Sequence, residues 1–187
     1  MLRWSVLIGI GCAALIGLTA AASATIVKPF TLRGLATEAH EVVRGEVIDE
    51  EVIYDAYWDR VYTHNVVHVL EALGGTARPG DLIVVRQMGG VLDGIESVLI
   101  GTSDLQLGDE VVLFTRTDGA MHYLVGMAQG AYWVWRDGAG IGRVTRYLDA
   151  IDIRPLPHTA ARKAPNHTLL TNLWAAIAQF RPVQGAP

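Results

Sequence analysis

An alternation of apolar and polar residues between Arg60 and Leu73 constrains this chain more than any other feature. Successive side chains of a β-strand point to opposite faces, so a two-residue period predicts a strand with one side buried. The residues of the more apolar parity are Val61, Thr63, Val67, Val69 and Leu73. A strand of this length needs neighbours on the same core, so further strands are expected around it.

Shorter runs of β-branched and aromatic residues, separated by turn residues, supply those neighbours. They cover residues 42–48, 52–54, 82–86, 111–115, 123–126 and 132–135. The first run is expected to bend or bulge at Gly45, and the charged residues 49–51 are expected to end it before a turn. Residues 117–120 predict a hairpin turn, whereas residues 89–108 show no clear period. The spacing predicts a mainly β fold, a small OB-like antiparallel barrel, rather than parallel α/β layers.

Two amphipathic segments predict helices that flank the strands. Residues 30–40 carry apolar side chains at helical spacing, and Thr31 is placed to cap a short N-terminal helix. After a segment containing Pro155, Pro157 and Pro165, residues 168–180 carry a second apolar stripe. That C-terminal helix either folds back on its own barrel or docks on a partner, and the scarcity of lysine argues against a membrane surface.

The first 24 residues have the form of a secretory signal peptide. Arg3 precedes an apolar stretch, and Ala22-Ser23-Ala24 matches the small-residue cleavage pattern. The chain is therefore expected to be exported, periplasmic or secreted, with no membrane span after cleavage. The alternative is a retained anchor, because the stretch approaches the ~20 residues that a spanning helix needs.

Removal of this leader changes the chemistry available to the chain. It takes away Arg3 and the single Cys12 and leaves 14 basic against 19 acidic residues. A chain without cysteine has no thiol nucleophile, disulfide or cysteine-ligated zinc. The acidic balance argues against nucleic acid as a partner. The expected organisation is a barrel domain over residues 25–152 and a proline-containing linker and helix over residues 153–187.

Motifs for catalysis are incomplete. Residues 40–44 read His-Glu-Val-Val-Arg, a near miss for the H-E-x-x-H zinc signature, but an arginine cannot replace the second histidine ligand. Residues 101–105 begin like a nucleophile elbow and lack its closing glycine. We therefore predict no catalytic residue.

Histidines on the long strand do not form a metal pair. His64 and His68 stand four residues apart, about 13 Å along a strand that rises ~3.3 Å per residue. A metal site would need a cross-strand partner such as His122 or an acid, so we predict no metal and no cofactor. His64 and His68 are instead kept as surface or groove residues of a candidate binding site.

An aromatic cluster gives the strongest suggestion of binding. Tyr132, Trp133 and Trp135 precede Arg136, and aromatic faces with arginine stack on sugars or bases. The alternative is that alternate members pack in the core. If exposed, they suit a polysaccharide, a peptide or another envelope or extracellular protein.

Several segments together resemble a family of uncharacterised exported bacterial proteins. The resemblance covers about Leu35 to Val134 and rests on residues 39–47, 61–63, 67–75, 84–90 and 108–114. More distantly, the opening strands are similar to netrin-like domains and tissue inhibitors of metalloproteinases, which are OB-type barrels. Those inhibitors place an N-terminal cysteine on the target's zinc, and this chain has none after leader removal. The resemblance implies the barrel and not protease inhibition.

The sequence thus predicts an exported, non-enzymatic β-barrel module for binding or scaffolding. The alternative is a metal-dependent hydrolase that uses surface histidines and carboxylates.

Overall fold

The computed structural model describes residues 26–148, 152–153 and 167–181, and the predicted leader and most of the proline-containing linker lie outside them. Within these ranges the chain is mainly β with two α-helices. The strands are β1 (Ile26–Val27), β2 (Glu41–Asp55), β3 (Arg60–Leu73), β4 (Leu82–Met88), β5 (Gly90–Leu92), β6 (Ile95–Ser97), β7 (Glu110–Asp118), β8 (Met121–Leu124), β9 (Ala131–Arg136), β10 (Gly142–Thr145), β11 (Asp152–Ile153) and β12 (His167–Leu169). The helices are α1 (Leu32–Glu38) and α2 (Leu170–Phe180), with a 3₁₀ turn at Met127–Gly130.

Five strands pair in a closed circuit. β2 pairs with β3, β3 with β4, β4 with β8, β8 with β7, and β7 again with β2. The β4–β8 pair is parallel and the other four are antiparallel. An odd number of strands cannot alternate direction all the way round a circuit, so the predicted antiparallel pattern must fail at one pair. β9, β10 and β12 extend the sheet outward from β7.

Strand β2 runs without the predicted interruption at its charged residues. Asp49, Glu50 and Glu51 pair in register with β3 and keep their side chains exposed, so their charge does not break the strand. The predicted irregularity at Gly45 is confirmed, because the register shifts between Arg44 and Gly45. A Cβ at Gly45 would lie 2.5 Å from the carbonyl oxygen of His68, so only glycine fits there.

The apolar side of the circuit encloses one core. Its fully buried members include Val43, Val67, Val85 and Leu113, and Trp133 packs against them. Side chains alternate between two faces along β3 and β4, and every second side chain of each strand therefore points into this shared interior.

A second core lies between the outer face of the sheet and the two helices. Thr31 caps α1 by accepting a hydrogen bond from the Gly34 N–H at 3.0 Å. Leu173 and Ile177 of α2 are buried in this core with residues of α1, β7 and β9. The C-terminal helix thus folds back on its own sheet, and it begins at Leu170 because residues 167–169 join the sheet as β12. Among the described residues, no helix is both long and apolar enough to cross a membrane.

Candidate ligand-binding site

The predicted aromatic site divides between two faces of β9. Tyr132 is only 3% exposed and packs against Phe114 in the outer core, so it is a core residue and not the stacking residue predicted. Trp133 points to the opposite face, where its Nε1–H donates to Asp109 at 2.9 Å. Trp135 is 43% exposed, and Arg136 bonds Glu110 at 3.2 Å. Successive side chains of a strand point to opposite faces, so the predicted cluster is divided between the two faces of β9. The sequence alone did not show which residues share the buried face.

His64 and His68 lie on β3 and do not meet each other or His122. His64 faces Arg86 across the β3–β4 ladder, and His68 faces Leu82. Burial lowers the pKa of His64, and the neighbouring Arg86 guanidinium lowers it further. Within the described ranges, no three His, Cys, Asp or Glu side chains are placed to hold one metal ion.

Two buried polar side chains, Glu41 and His122, meet where β2 begins. We call them, with the backbone of Thr76 and Ala77, the closed end. Glu41 is 0% exposed, and its Oε1 accepts a hydrogen bond from His122 Nε2 at 2.5 Å. Its Oε2 accepts from the backbone N–H groups of Thr76 at 3.1 Å and Ala77 at 3.0 Å. The carboxylate thus fixes the loop between β3 and β4 to a histidine on β8.

Electrostatics keep Glu41 ionised in this buried position. Burial alone would raise the pKa of Glu41, but the hydrogen bonds from His122 and from the Ala77 and Thr76 N–H groups outweigh it and hold the pKa below its ordinary value of 4.5. Arg181, just after α2, donates to the carbonyl oxygens of Ala39 and His40 at 2.6 Å and covers the same end. The hydrogen bonds of the closed end therefore join the start of β2 to the β3–β4 loop, to β8 and to the residue after α2.

A different polar cluster lies toward the other end of β2. Asn65 and Gln87 occupy interior-facing positions of β3 and β4, and Gln87 Nε2 donates to Asn65 Oδ1 at 3.1 Å. Gln87 Oε1 accepts from the Ser103 hydroxyl at 2.6 Å, and Asn65 Nδ2 donates to Glu50 Oε2 at 3.3 Å. Ser103 therefore bonds an amide, whereas a serine nucleophile is activated by an adjacent general base.

These four side chains line a cleft of about 380 Å³. Its wall is the chain from Gly89 to Leu105, which includes the β5–β6 hairpin. Gly90 has a φ of +137°, and a Cβ there would lie 2.6 Å from Thr63 Oγ1 and 2.8 Å from Val52 Cγ1. Glycine at this position lets the wall approach the β2–β3 hairpin and shapes the cleft.

A second cleft of about 450 Å³ adjoins the first and reaches the β2–β3 turn. The two share Met88, Gly89 and Ser97 to Leu99, and Tyr54 and Asp59 line the second. We call the two clefts together, with the turn beside them, the open end.

The turn presents two aromatic side chains to solvent, and we call them the aromatic tip. Tyr57 is 85% exposed and Trp58 is 58% exposed, with ring centroids 4.9 Å apart in an edge-to-face arrangement. Asp55 Oδ1 accepts from both backbone N–H groups, at 3.0 Å and 3.2 Å. The other oxygen of Asp55 forms an ion pair with Arg86.

Arg86 itself is held from a second side, because its guanidinium lies 3.7 Å from the centroid of the Tyr62 ring. The hydrogen bond from Arg86 lowers the pKa of Asp55, so Asp55 stays ionised and keeps the turn in place. The tip is therefore exposed and also preorganised.

Sequence reasoning missed this site for identifiable reasons. The aromatic pair lies between Asp55 and Asp59, in a stretch between two predicted strands that received no assignment, although large aromatics flanked by acids outside a strand are a signal of exposed rings. Asn65 and Gln87 stand among the apolar residues that face the core along β3 and β4. A buried amide needs a hydrogen-bond partner, so these two residues are a second signal of a polar site.

Comparisons with protein-family models, with curated proteins and with solved structures found no match.

Proposed function

We propose that this protein is an exported, non-enzymatic binding module that takes its ligand at the open end. The observation that carries this proposal is the joining of a polar cleft to an exposed, fixed aromatic pair. Large apolar surfaces rimmed by polar groups mark interaction sites on soluble proteins. Aromatic anchors contribute most to such interfaces, because they bury a large area at little cost in conformational entropy.

The donors and acceptors in the cleft supply specificity. Glu50 is exposed to a ligand, and the buried chain of Asn65, Gln87 and Ser103 behind it sets its orientation. Small-molecule and peptide sites commonly combine an apolar wall with a few fixed polar groups.

Export is part of the proposal because of the leader pattern at residues 1–24. The mature chain would then meet ligands of the envelope or the extracellular space.

The alternative, a metal-dependent hydrolase, has weaker support. His64 and His68 lie on β3 at different register positions, and His122 is bound to Glu41 at the closed end. Neither cleft is lined by a histidine. A general base for water activation would therefore have to be a carboxylate without a shared metal.

Arrays of glycans and synthetic peptides probed with residues 25–187 test this function. Trp58→Ala should abolish the signals that the wild-type protein gives. Tyr147→Ala is the matched control, since Tyr147 is 57% exposed and contacts Trp133 edge-to-face at 5.0 Å. Signals lost equally in both variants, or retained in Trp58→Ala, would contradict the assignment of the open end, and an array without signal would contradict the binding function itself.

A further inference from the structure

The open end carries an excess of carboxylates that no described cation neutralises. Those lining the two clefts are Glu50, Asp59, Glu96 and Asp104, and the one basic residue lining them is Arg60. None of the four acids forms an ion pair with a described residue. Arg86 does not compensate them, because it is paired with Asp55.

The same surface is apolar as well as acidic. Beyond the aromatic tip, two exposed aliphatic side chains line the clefts, Val91 at 59% and Val98 at 69% exposure, and Ile95 of the same β5–β6 hairpin is 73% exposed. Covering valine and isoleucine with sugar hydroxyls would leave those hydroxyls without hydrogen-bond partners, which is costly. Peptide side chains cover such residues without that cost, so the wall favours a polypeptide over a polysaccharide.

The carboxylates and the aromatic rings together indicate that the polypeptide carries positive charge. Lysine and arginine stack on tryptophan and tyrosine faces, and their charges complement the carboxylates around the cleft. An acidic or sulfated chain would meet four like charges at close range.

We propose that the occupant of the open end is a basic segment of another polypeptide, with lysine or arginine on the aromatic tip and apolar side chains on the cleft wall. This inference rests on the proposed function and narrows it to one class of ligand.

Fluorescence anisotropy with three synthetic peptides of equal length tests the inference. One alternates lysine with valine, one glutamate with valine and one serine with valine. We expect residues 25–187 to bind the lysine peptide at least tenfold more tightly than either of the others, an estimate of order of magnitude for complementary against like charge. Trp58→Ala should weaken binding by roughly tenfold or more. Raising the salt concentration should also weaken it, because exposed charges are screened.

Variants that neutralise carboxylates of the open end test the basic-peptide inference separately from the proposed binding function. Asp59→Asn combined with Glu96→Gln should weaken lysine-peptide binding by roughly threefold or more. Asp118→Asn, which removes an exposed acid at the end of β7, should leave it unchanged. Equal binding of all three peptides, or no effect of the double variant, would overturn the basic-peptide inference. If only a polysaccharide binds, and does so through Trp58, the inference fails while the binding function stands.

Discussion

The two ends of strand β2 use carboxylates in opposite ways. At the closed end, Glu41 is 0% exposed and accepts hydrogen bonds from His122 and two backbone N–H groups. At the open end, Glu50 is exposed, and its Oε2 accepts a hydrogen bond from Asn65 Nδ2 at 3.3 Å. A satisfied buried charge stabilises a structure, whereas exposed acids beside a cleft remain available to a ligand. Under the proposed function, the closed end stabilises the fold and the open end binds the ligand.

The same substitution at both ends gives the largest expected contrast. Glu41→Gln should lower the free energy of unfolding by about 2 kcal/mol or more, because the amide removes a charge-assisted bond and leaves a buried donor unpaired. Glu50→Gln should change it by less than about 0.5 kcal/mol, as is usual for exposed sites. Urea denaturation of the two variants measures both. Equal losses would remove the distinction between the ends.

A glycine beside the open end gives a smaller effect on stability. Gly90→Ala should cost roughly 1–3 kcal/mol, since alanine rarely adopts its φ of +137° and the new Cβ would press on Thr63. Gly80→Ala is the matched control, because Gly80 also has a positive φ but no atom within 4 Å of the added Cβ. Thermal unfolding should rank Gly90→Ala below Gly80→Ala. The reverse ranking would show that Gly90 does not lie as close to the β2–β3 hairpin as the structure places it.

Acid should weaken the closed end. The pKa of Glu41 is lower in the folded protein than its ordinary value of 4.5, so its contribution is complete above that value and is lost as the pH falls through the lowered folded pKa. Asp55 and Asp137 also have lowered pKa values, so the wild-type protein is best compared with Glu41→Gln. The gap in unfolding free energy between them should narrow below pH 4.5. A gap that is constant with pH would contradict the role of the ionised Glu41.

The smallest expected effect on stability belongs to the aromatic tip. Trp58→Ala should leave the free energy of unfolding within about 0.5 kcal/mol of the wild-type value, because the side chain is 58% exposed. Tyr147→Ala should behave in the same way. Differential scanning calorimetry checks both, and a large loss in Trp58→Ala would show that the tip is part of the core.

Local pattern predicted six of the twelve described strands, and these six are β2, β3, β4, β7, β8 and β9. The contacts that it missed are long-range. The two-residue period of β3 follows directly from alternation, and the β7–β8 hairpin follows from its turn residues. The pairing of Glu41 with His122 joins residues 81 apart in the chain, and no local signal reports it. The charged residues 49–51 suggested that the strand ends there, because the sequence does not show that they pair with residues 64–66 of β3.

The candidate site was less predictable than the fold. The cleft wall between Gly89 and Leu105 has no clear period, since several of its apolar side chains, such as Val91 and Val98, are exposed rather than buried on one regular face. Tyr132 was misassigned because parity alone does not tell which face of β9 the helices cover. That face is decided by α1 and α2, which pack on it from both ends of the chain.

Backbone amide chemical-shift mapping of residues 25–187 during titration with the lysine–valine peptide tests the central claim most directly. We expect the largest changes in residues 54–60 and 89–104, with the amides of Thr76, Ala77 and His122 unaffected. Largest changes in residues 132–147, or at the closed end, would contradict it.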